Sequence, residues 1–348
     1  MDTPGIKNLT LPEAEEVFRG LGEKPYRARQ LFNWLYEKNV DSFESMTNFS
    51  KGLRAELAAR YAVSVIEVAD RQLSALDGTE KFLFRTRDGH FIESVLIRSD
   101  GTDDGRLTVC VSSQVGCPMG CLFCQTARIG FKRNLEAAEI LDQVCHVRRV
   151  SGVRNNNIVF MGMGEPFLNY ESVMRAADIM NYDFGFHISV RRITISTCGI
   201  ADALERYIDE GRPYNLAISL NDTDPEKRRA NMPVENKYPI RDIAAMLVDK
   251  FPASRNRVTI EYIMRADNIG PGDARRLREL FRHGRIKLNL IPLNTGGHGM
   301  EAPSAEAMEK FIRELEIMNV PVSVRKSSGK DIDGACGQLS GRRYRDCI

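Results

Sequence analysis

Cys117, Cys121 and Cys124, in the run CPMGCLFC, place three thiols at C-x3-C-x2-C spacing in one short stretch. A single loop can bring three such sulfurs to one iron–sulfur cube, and three ligands on a four-iron cube leave one iron open. An open iron can take a small molecule offering an amine and a carboxylate, so the spacing points to a cluster that works on a ligand. A structural zinc site fits less well. It wants a closed set of four ligands in paired C-x2-4-C spacings, and no second C-x2-C pair exists in the chain.

Five further cysteines, Cys110, Cys145, Cys198, Cys336 and Cys347, lie in a chain of 348 residues. Met1 to Thr10 has no charged-then-apolar signal, and no apolar run reaches the ~18 residues of a membrane span. Reduced thiols, ligands or redox catalysts are therefore expected rather than a disulfide framework, in a cytoplasmic protein with no membrane partner. A content of 43% hydrophobic and 28% charged residues suits a soluble globular chain with one large and one small domain. The net charge of +2 decides nothing alone, but basic residues cluster at Arg128, Lys132 and Arg133, at Arg148 and Arg149, at Arg191 and Arg192, and at Arg342, Arg343 and Arg345. Such clusters fit either a polyanionic partner or a solvated charged face.

The elements that must position these thiols change texture near residue 100. Before it, Thr10-Leu11-Pro12-Glu13 reads as a capping box opening a helix to about Gly20. Leu31, Trp34 and Leu35 recur at helical spacing across a second helix, Tyr26 to Lys38, where Trp34 reads as core more readily than as a nucleic-acid grip. Lys81 to Thr86 and His90 to Ile97 read as strands of a hairpin turned at Asp88-Gly89. From Leu107 onward, β-branched runs near 107–112, 157–161, 192–196, 215–220, 257–264, 287–291 and 320–325 alternate with helical patterns at 136–149, 170–181, 201–210, 240–251, 272–283 and 304–318. Repeated βα units predict a parallel sheet, either a barrel or an open doubly wound sheet. We place an accessory domain at 1–95 and the core at 96–348.

Polar residues gather just after the strands, where parallel βα folds place their sites. These segments are Met161-Gly162-Met163-Gly164-Glu165-Pro166, Ser196-Thr197-Cys198-Gly199, Ser219-Leu220-Asn221 and Pro292-Leu293-Asn294. Glycine lets backbone approach a ligand, and Glu165 can accept from an ammonium or a ribose hydroxyl. Each segment alone is an ordinary turn. Four of them downstream of the cysteine loop suggest one site.

The strings TVCVSSQVGC (Thr108 to Cys117), GFKRNL (Gly130 to Leu135), MGMGEP and DIDGACGQL (Asp331 to Leu339) together resemble the RlmN/Cfr family of radical S-adenosylmethionine (SAM) RNA adenine methyltransferases. The resemblance runs in order through nearly the whole chain. It is closest to the RlmN branch, because MGMGEP keeps the proline that the Cfr branch tends to replace with alanine. It implies an α/β fold with a partial (β/α)6 TIM-like barrel and a small α+β amino-terminal accessory domain. It also implies a [4Fe–4S] cluster on Cys117, Cys121 and Cys124, with two SAM per turnover. The implied partners are 23S rRNA, tRNA beside the anticodon, and an electron donor such as flavodoxin, for a chain acting as a monomer. Phe123 would lean on the cofactor's adenine.

Carbon 2 of adenine is electron-poor and cannot attack the methyl of SAM, so a radical route is needed. By resemblance, Cys336 carries a methyl group, a 5′-deoxyadenosyl radical removes one of its hydrogens, and the carbon radical adds to the base. Cys110 then releases the adduct and closes a transient disulfide with Cys336, roles that suit thiolate nucleophilicity and thiol–disulfide exchange. Glu93 matches the family glutamate at the target base. Gly164, Glu165, Ser196, Ser219, Leu220, Asn221 and Asn294 match the family's SAM contacts, with Asn221 standing where many members have histidine. The stretch Thr295 to Pro303 departs from the family pattern, and Cys145, Cys198 and Cys347 match no role in it. Three alternatives remain: Cfr-like methylation of carbon 8 of the rRNA adenosine, a different radical enzyme acting on a small molecule or peptide, and an RNA-binding module with a structural metal.

Overall fold

The computed structural model describes residues 3–98, 107–251, 258–282, 285–294, 299–317, 320–325 and 327–341. The amino-terminal part opens with α1 (Leu11–Gly20), where the Glu13 carboxylate accepts the Thr10 N–H at 2.7 Å and Pro12 sits in the first turn. Next come α2 (Tyr26–Phe32), continued by a π-helical stretch at Asn33–Glu37, and α3 (Lys51–Arg60), capped by Ser50. Trp34 packs half-buried against the core, donating its Nε1–H to Asn48 at 2.5 Å with the Lys38 ammonium 3.6 Å from its ring centre. That tryptophan is committed to local packing.

Strands β1 (Ile66–Leu73), β2 (Glu80–Thr86) and β3 (Phe91–Arg98) form an antiparallel meander, and β4 (Leu107–Cys110) pairs antiparallel with β3. The chain then makes β5 (Gln114–Val115), α4 (Gln125–Ile129) and β6 (Arg133–Asn134), with β5 paired to β6. After α5 (Ala137–Ser151), β7 (Asn157–Phe160), α6 (Tyr170–Asn181), β8 (Ile193–Thr197), α7 (Ala201–Asp209) and β9 (Asn215–Ser219) alternate regularly. The run ends with α8 (Pro225–Asn231), α9 (Ile240–Lys250), β10 (Val258–Met264), α10 (Pro271–Leu280), β11 (Ile286–Pro292), α11 (Ala305–Glu316) and β12 (Val322–Val324). Among the described residues ten strands form one sheet, in the order β1-β2-β3-β4-β7-β8-β9-β10-β11-β12, parallel from β4 onward.

The parallel strands are densely apolar, and every residue of β10 is buried, as expected of a sheet covered on both faces. The sheet is not flat. One cavity of about 1240 Å³, its mouth included, is lined from Ile97 on β3 through Thr108, Thr194 and Thr259 to Arg325 just past β12. It therefore curves round a lumen, and among the described residues its end strands β1 and β12 do not pair with each other, so the curve stays open. The division expected at residue 95 falls inside β3.

A buried ion pair ties the amino-terminal segment to helix α5 of the core. Lys7 meets Asp142 of α5 at 2.5 Å, with both side chains 1% exposed, and Asp142 also accepts the Val65 N–H at 2.6 Å. Burial works against the Lys7 ammonium, but Asp142 and the neighbouring Cys145 together outweigh it and the pKa is raised.

Candidate active site

The cysteine loop leaves β5 through Gly116, at φ +72°, where a Cβ would lie 1.7 Å from the Gly130 carbonyl oxygen. Only glycine lets the two ends of the loop close, and the Lys132 N–H bonded to the Val115 carbonyl at 3.0 Å fastens that closure. Cys124 sits at the start of α4, and the Leu122 N–H is held by the Asn231 carbonyl at 2.9 Å. Cys117, Cys121 and Cys124 line one cleft of about 850 Å³, its mouth included, at the carboxyl ends of the strands. Burial pushes the Cys117 thiol up to about 12 and raises that of Cys121, the latter helped by Cys124 and Cys117.

The same cleft is lined by Gly164, Glu165, Ser196, Ser219 and Asn221. The MGMGEP turn is stitched to the segment after β4: the Met163 carbonyl accepts the Ser113 N–H at 2.8 Å, and the Glu165 N–H reaches the Gln114 side chain at 2.8 Å. Gly164, at φ +106°, passes so close that a Cβ would meet Gln114 at 2.7 Å. The Glu165 carboxylate is already engaged, accepting the Phe167 and Cys198 N–H groups at 2.9 and 2.8 Å. Burial raises its pKa despite those two donors. Asn221 adopts φ +58°, a left-handed conformation asparagine tolerates, and its side chain accepts the Ile263 N–H at 3.2 Å. Leu220 is fully buried beneath the cleft rather than on its wall.

Cys336 lines three adjoining cavities. One is the cysteine cleft, the second holds Asn294 and Phe123, and the third is a small chamber shared with Cys110, Met161 and Arg325. Asn294 donates to the Cys336 carbonyl at 3.1 Å, while its Oδ1 is buried with no partner among the described residues. The surface of Cys336 is exposed, yet it opens onto cavities ringed by protein; burial and Glu261 push its thiol up to about 11, with Arg325 opposing. Burial and Cys336 push the Cys110 thiol up to about 12, again opposed by Arg325. All cysteines among the described residues are free thiols. Cys145 is buried in the core, Cys198 edges the cleft, and Cys347 lies outside the described residues.

Glu93, on β3, lines none of these cavities and is completely buried. Its Oε2 accepts the N–H groups of Ser340 and Gly341 at 2.7 and 3.0 Å. Its Oε1 pairs at 3.4 Å with the buried ammonium of Lys81, long for a hydrogen bond, and has no other partner among the described residues. Burial raises its pKa against Lys81 and the two donors. In this conformation Glu93 clamps the loop behind Cys336.

Three residues that sequence reasoning passed over complete the site. Glu261 of β10 is buried, lines both the cleft and the lumen, and accepts the Ser196 hydroxyl at 3.1 Å. Arg228 of α8 is fully buried, paired with Glu235, and donates to the carbonyls of Leu220 and Cys198 at 3.0 and 2.9 Å, tying the β8 and β9 ends under the cleft. Arg325 spans the Cys110 chamber and the lumen. A buried polar residue inside a strand or short helix gives no sequence signal until its neighbours are known. The only available hint was a glutamate amid the apolar run of β10.

The basic clusters behave less uniformly than a polyanion face requires. Arg133 is taken up by Asp88 at 2.6 Å and Glu139 at 2.7 Å, so its charge is spent within the fold, whereas Lys132 beside it is exposed. Arg148 lies 4.6 Å from the Phe186 ring centre and bonds Asn155 at 2.6 Å. Arg342, Arg343 and Arg345 lie outside the described residues, as do 295–298 of the Thr295 to Pro303 stretch. No helix among the described residues is long and apolar enough to cross a membrane.

The residues present suit an iron–sulfur cluster with a ligand beside it. Cys117, Cys121 and Cys124 share one cleft wall, and a cube takes three thiolates on three of its irons. The Asn294 Oδ1, without a partner among the described residues, remains as a polar group for a ligand. An open parallel α/β sheet with a three-cysteine cleft at its strand ends is the arrangement of a radical SAM enzyme. Residues 111–268 match the family model of the Radical SAM superfamily, which carries SAM and an iron–sulfur cluster, and residues 5–63 match the ribosomal RNA large subunit methyltransferase N-terminal domain. The dual-specificity RNA methyltransferase RlmN of Geotalea uraniireducens is 44% identical over 98% of this chain and 98% of its own. The probable counterpart in Leptospira interrogans is 39% identical over 97% of this chain and 96% of its own. A radical SAM methyltransferase from Sphaerobacter thermophilus has a crystal structure that superposes with a TM-score of 0.91 at 38% identity, covering 97% of this chain and 100% of that one. The chain belongs to the RlmN family of radical SAM RNA methyltransferases.

Proposed function

We propose that the chain methylates carbon 2 of adenosine in 23S rRNA and in tRNA next to the anticodon. The observation that carries this reading is the place of Cys336, on the wall of the three-cysteine cleft and of the Cys110 chamber at once. Bound at the cleft with a [4Fe–4S] cluster on Cys117, Cys121 and Cys124, SAM supplies a methyl group and hydrogen-abstracting radical chemistry, two molecules being used per turnover. Gly164, Glu165, Ser196, Ser219, Asn221 and Asn294 hold and orient it through backbone and side-chain polar groups, with Leu220 packed beneath them as the floor of that site. Cys336 carries the one-carbon unit on sulfur. Cys110, as thiolate, attacks that sulfur; the S–C bond breaks with its electron pair going to the carbon, which takes a proton to become the methyl on the base, and the two cysteines are left as a disulfide. Glu93 serves as the carboxylate for the base's proton once the Ser340–Gly341 backbone gives way. The reading includes a monomer in the cytoplasm, supplied with electrons by a donor such as flavodoxin.

The test uses each cysteine separately. Cys336→Ala should give neither methylated protein nor methylated RNA, whereas Cys110→Ala should load the carbon, add it to RNA and stall as a covalent conjugate visible on a denaturing gel. Normal turnover by Cys110→Ala, or trapped RNA with Cys336→Ala, would end the assignment. Mass spectrometry of nucleosides from wild-type reactions should show 2-methyladenosine; 8-methyladenosine would overturn the regiochemistry.

A further inference from the structure

The loop bearing Cys336 is fastened to the β1–β2 hairpin of the accessory part by two aspartates used in opposite senses. From the loop, Asp331 accepts the Ser74 hydroxyl at 2.6 Å and the Ala75 N–H at 2.9 Å in the turn between β1 and β2. From that turn, Asp77 accepts the Gly329 N–H at 2.8 Å with one oxygen and the Thr79 N–H at 3.0 Å with the other. All four carboxylate oxygens are thus satisfied, and both carboxyls are held below their ordinary pKa: Asp331 chiefly by the Ser74 hydroxyl, Asp77 by the Thr79 and Gly329 N–H groups against an opposing burial effect.

The seat has little slack. Gly329 sits at φ +65°, where a Cβ would approach Thr79 to 2.9 Å, and the Gly334 N–H closes onto the Gly329 carbonyl at 2.8 Å. Beyond Cys336 the loop is held again, by the Gln125 N–H on the Gly337 carbonyl at 2.8 Å and the Thr126 hydroxyl on the Leu339 carbonyl at 2.8 Å. A thiol that must serve one cavity on one side and a second thiol on the other needs its backbone anchored on both sides. The aspartates supply the anchor on the amino-terminal side.

We propose that Asp77 and Asp331 are positioning residues for Cys336, fixing the loop so that its thiol stays at the junction of the cysteine cleft and the Cys110 chamber. This rests on the reading of Cys336 as the methyl carrier. The accessory hairpin is then part of the catalytic apparatus, touching no substrate and setting where the carrier stands.

The cluster-loaded full-length chain, kept anaerobic, is assayed for iodoacetamide labelling of each thiol by peptide mass mapping, for SAM affinity, and for the mass gained by Cys336 on incubation with SAM. Asp331→Ala and Asp77→Ala should each raise Cys336 labelling and slow its methylation by roughly tenfold, through local opening and misplacement, while Cys145 labelling and SAM affinity stay unchanged. Asp331→Asn keeps one acceptor oxygen and should fall between. Ser74→Ala, which removes one donor, should shift both readouts the same way by less, and it serves if the aspartate variants do not fold. Unchanged Cys336 labelling and methylation in these variants would overturn the proposal. If wild-type Cys336 gains no methyl while its labelling still responds to Asp331, the seat stands and the methyl-carrier reading falls.

Discussion

The carboxylate of Glu93 closes on the backbone N–H of Ser340 at 2.7 Å, four residues past Cys336. A side chain on β3 therefore holds down the loop that carries the reactive thiol, and the same oxygen cannot serve a base until that bond is broken. Glu93→Ala should lower RNA methylation by about 10²–10⁴-fold, the range for a lost acid/base group. It should also cost about 3–5 kcal/mol of stability, because Lys81 is left buried without its partner. Denaturant unfolding and nucleoside mass spectrometry would check the two effects separately; a stable, fully active variant would contradict both.

The two raised thiols predict a pH profile. A group titrating near 11 is thiolate in only about one molecule per thousand at pH 8, and that fraction grows about tenfold per pH unit below its pKa. Labelling of Cys336 should therefore keep climbing from neutral pH to beyond pH 9, and that of Cys110, near 12, should lag behind it. Arg325→Gln removes the cation opposing both shifts and should slow labelling of each thiol at a given pH. A plateau near the ~8.5 of an ordinary free cysteine would show that the chamber does not desolvate them.

Loss of iron should be felt in the Cys336 loop. The N–H of Gln125, the residue after Cys124, and the hydroxyl of Thr126 hold the carbonyls of Gly337 and Leu339, so whatever orders Cys124 also orders that loop. Chelation, or replacing Cys117, Cys121 and Cys124 by alanine, should abolish bound iron and speed amide hydrogen exchange at 336–341. Unchanged exchange there after complete iron removal would break the link.

Arg228 offers a test of the cleft floor. Arg228→Leu strands the buried Glu235 carboxylate and frees the Leu220 and Cys198 carbonyls, a loss of about 3–5 kcal/mol by analogy with other broken buried pairs. SAM affinity should fall with it, measured by equilibrium binding. Wild-type stability would mean that water reaches the site.

The helices and strands past residue 107 were readable because their patterns are strong. Tyr170–Asn181 forms as its periodicity predicts, and strand bounds agree within a residue or two over most of the core. Strand β1, IEVADRQL, escaped because its exposed and half-buried polar residues mask the alternation. Helix α8 escaped because it is short and mostly charged, with Arg228 buried only by tertiary context. The motif residues were legible through their strings, and the cavities bring together Cys117, Cys121, Cys124, Gly164, Glu165, Ser196, Ser219, Asn221 and Cys336 in one place. What the strings could not convey is engagement: that Glu165 and Glu93 are already bonded to backbone, that Arg133 is neutralised by Asp88 and Glu139, and that Glu261 accepts from Ser196 and Asn289.

The pairing of β3 with β4 also has a bearing on aggregation. Val95, Leu96, Ile97 and Arg98 lie opposite Cys110, Val109, Thr108 and Leu107, so a fragment beginning after Arg98 would lose the whole of its covering strand. It would present Leu107–Cys110 as a bare, apolar sheet margin with unpaired N–H and C=O groups, a template for strands from neighbouring molecules. The accessory hairpin thus acts as the cap that keeps the core from associating through that edge, and the severed core should come out of solution as β-rich aggregate.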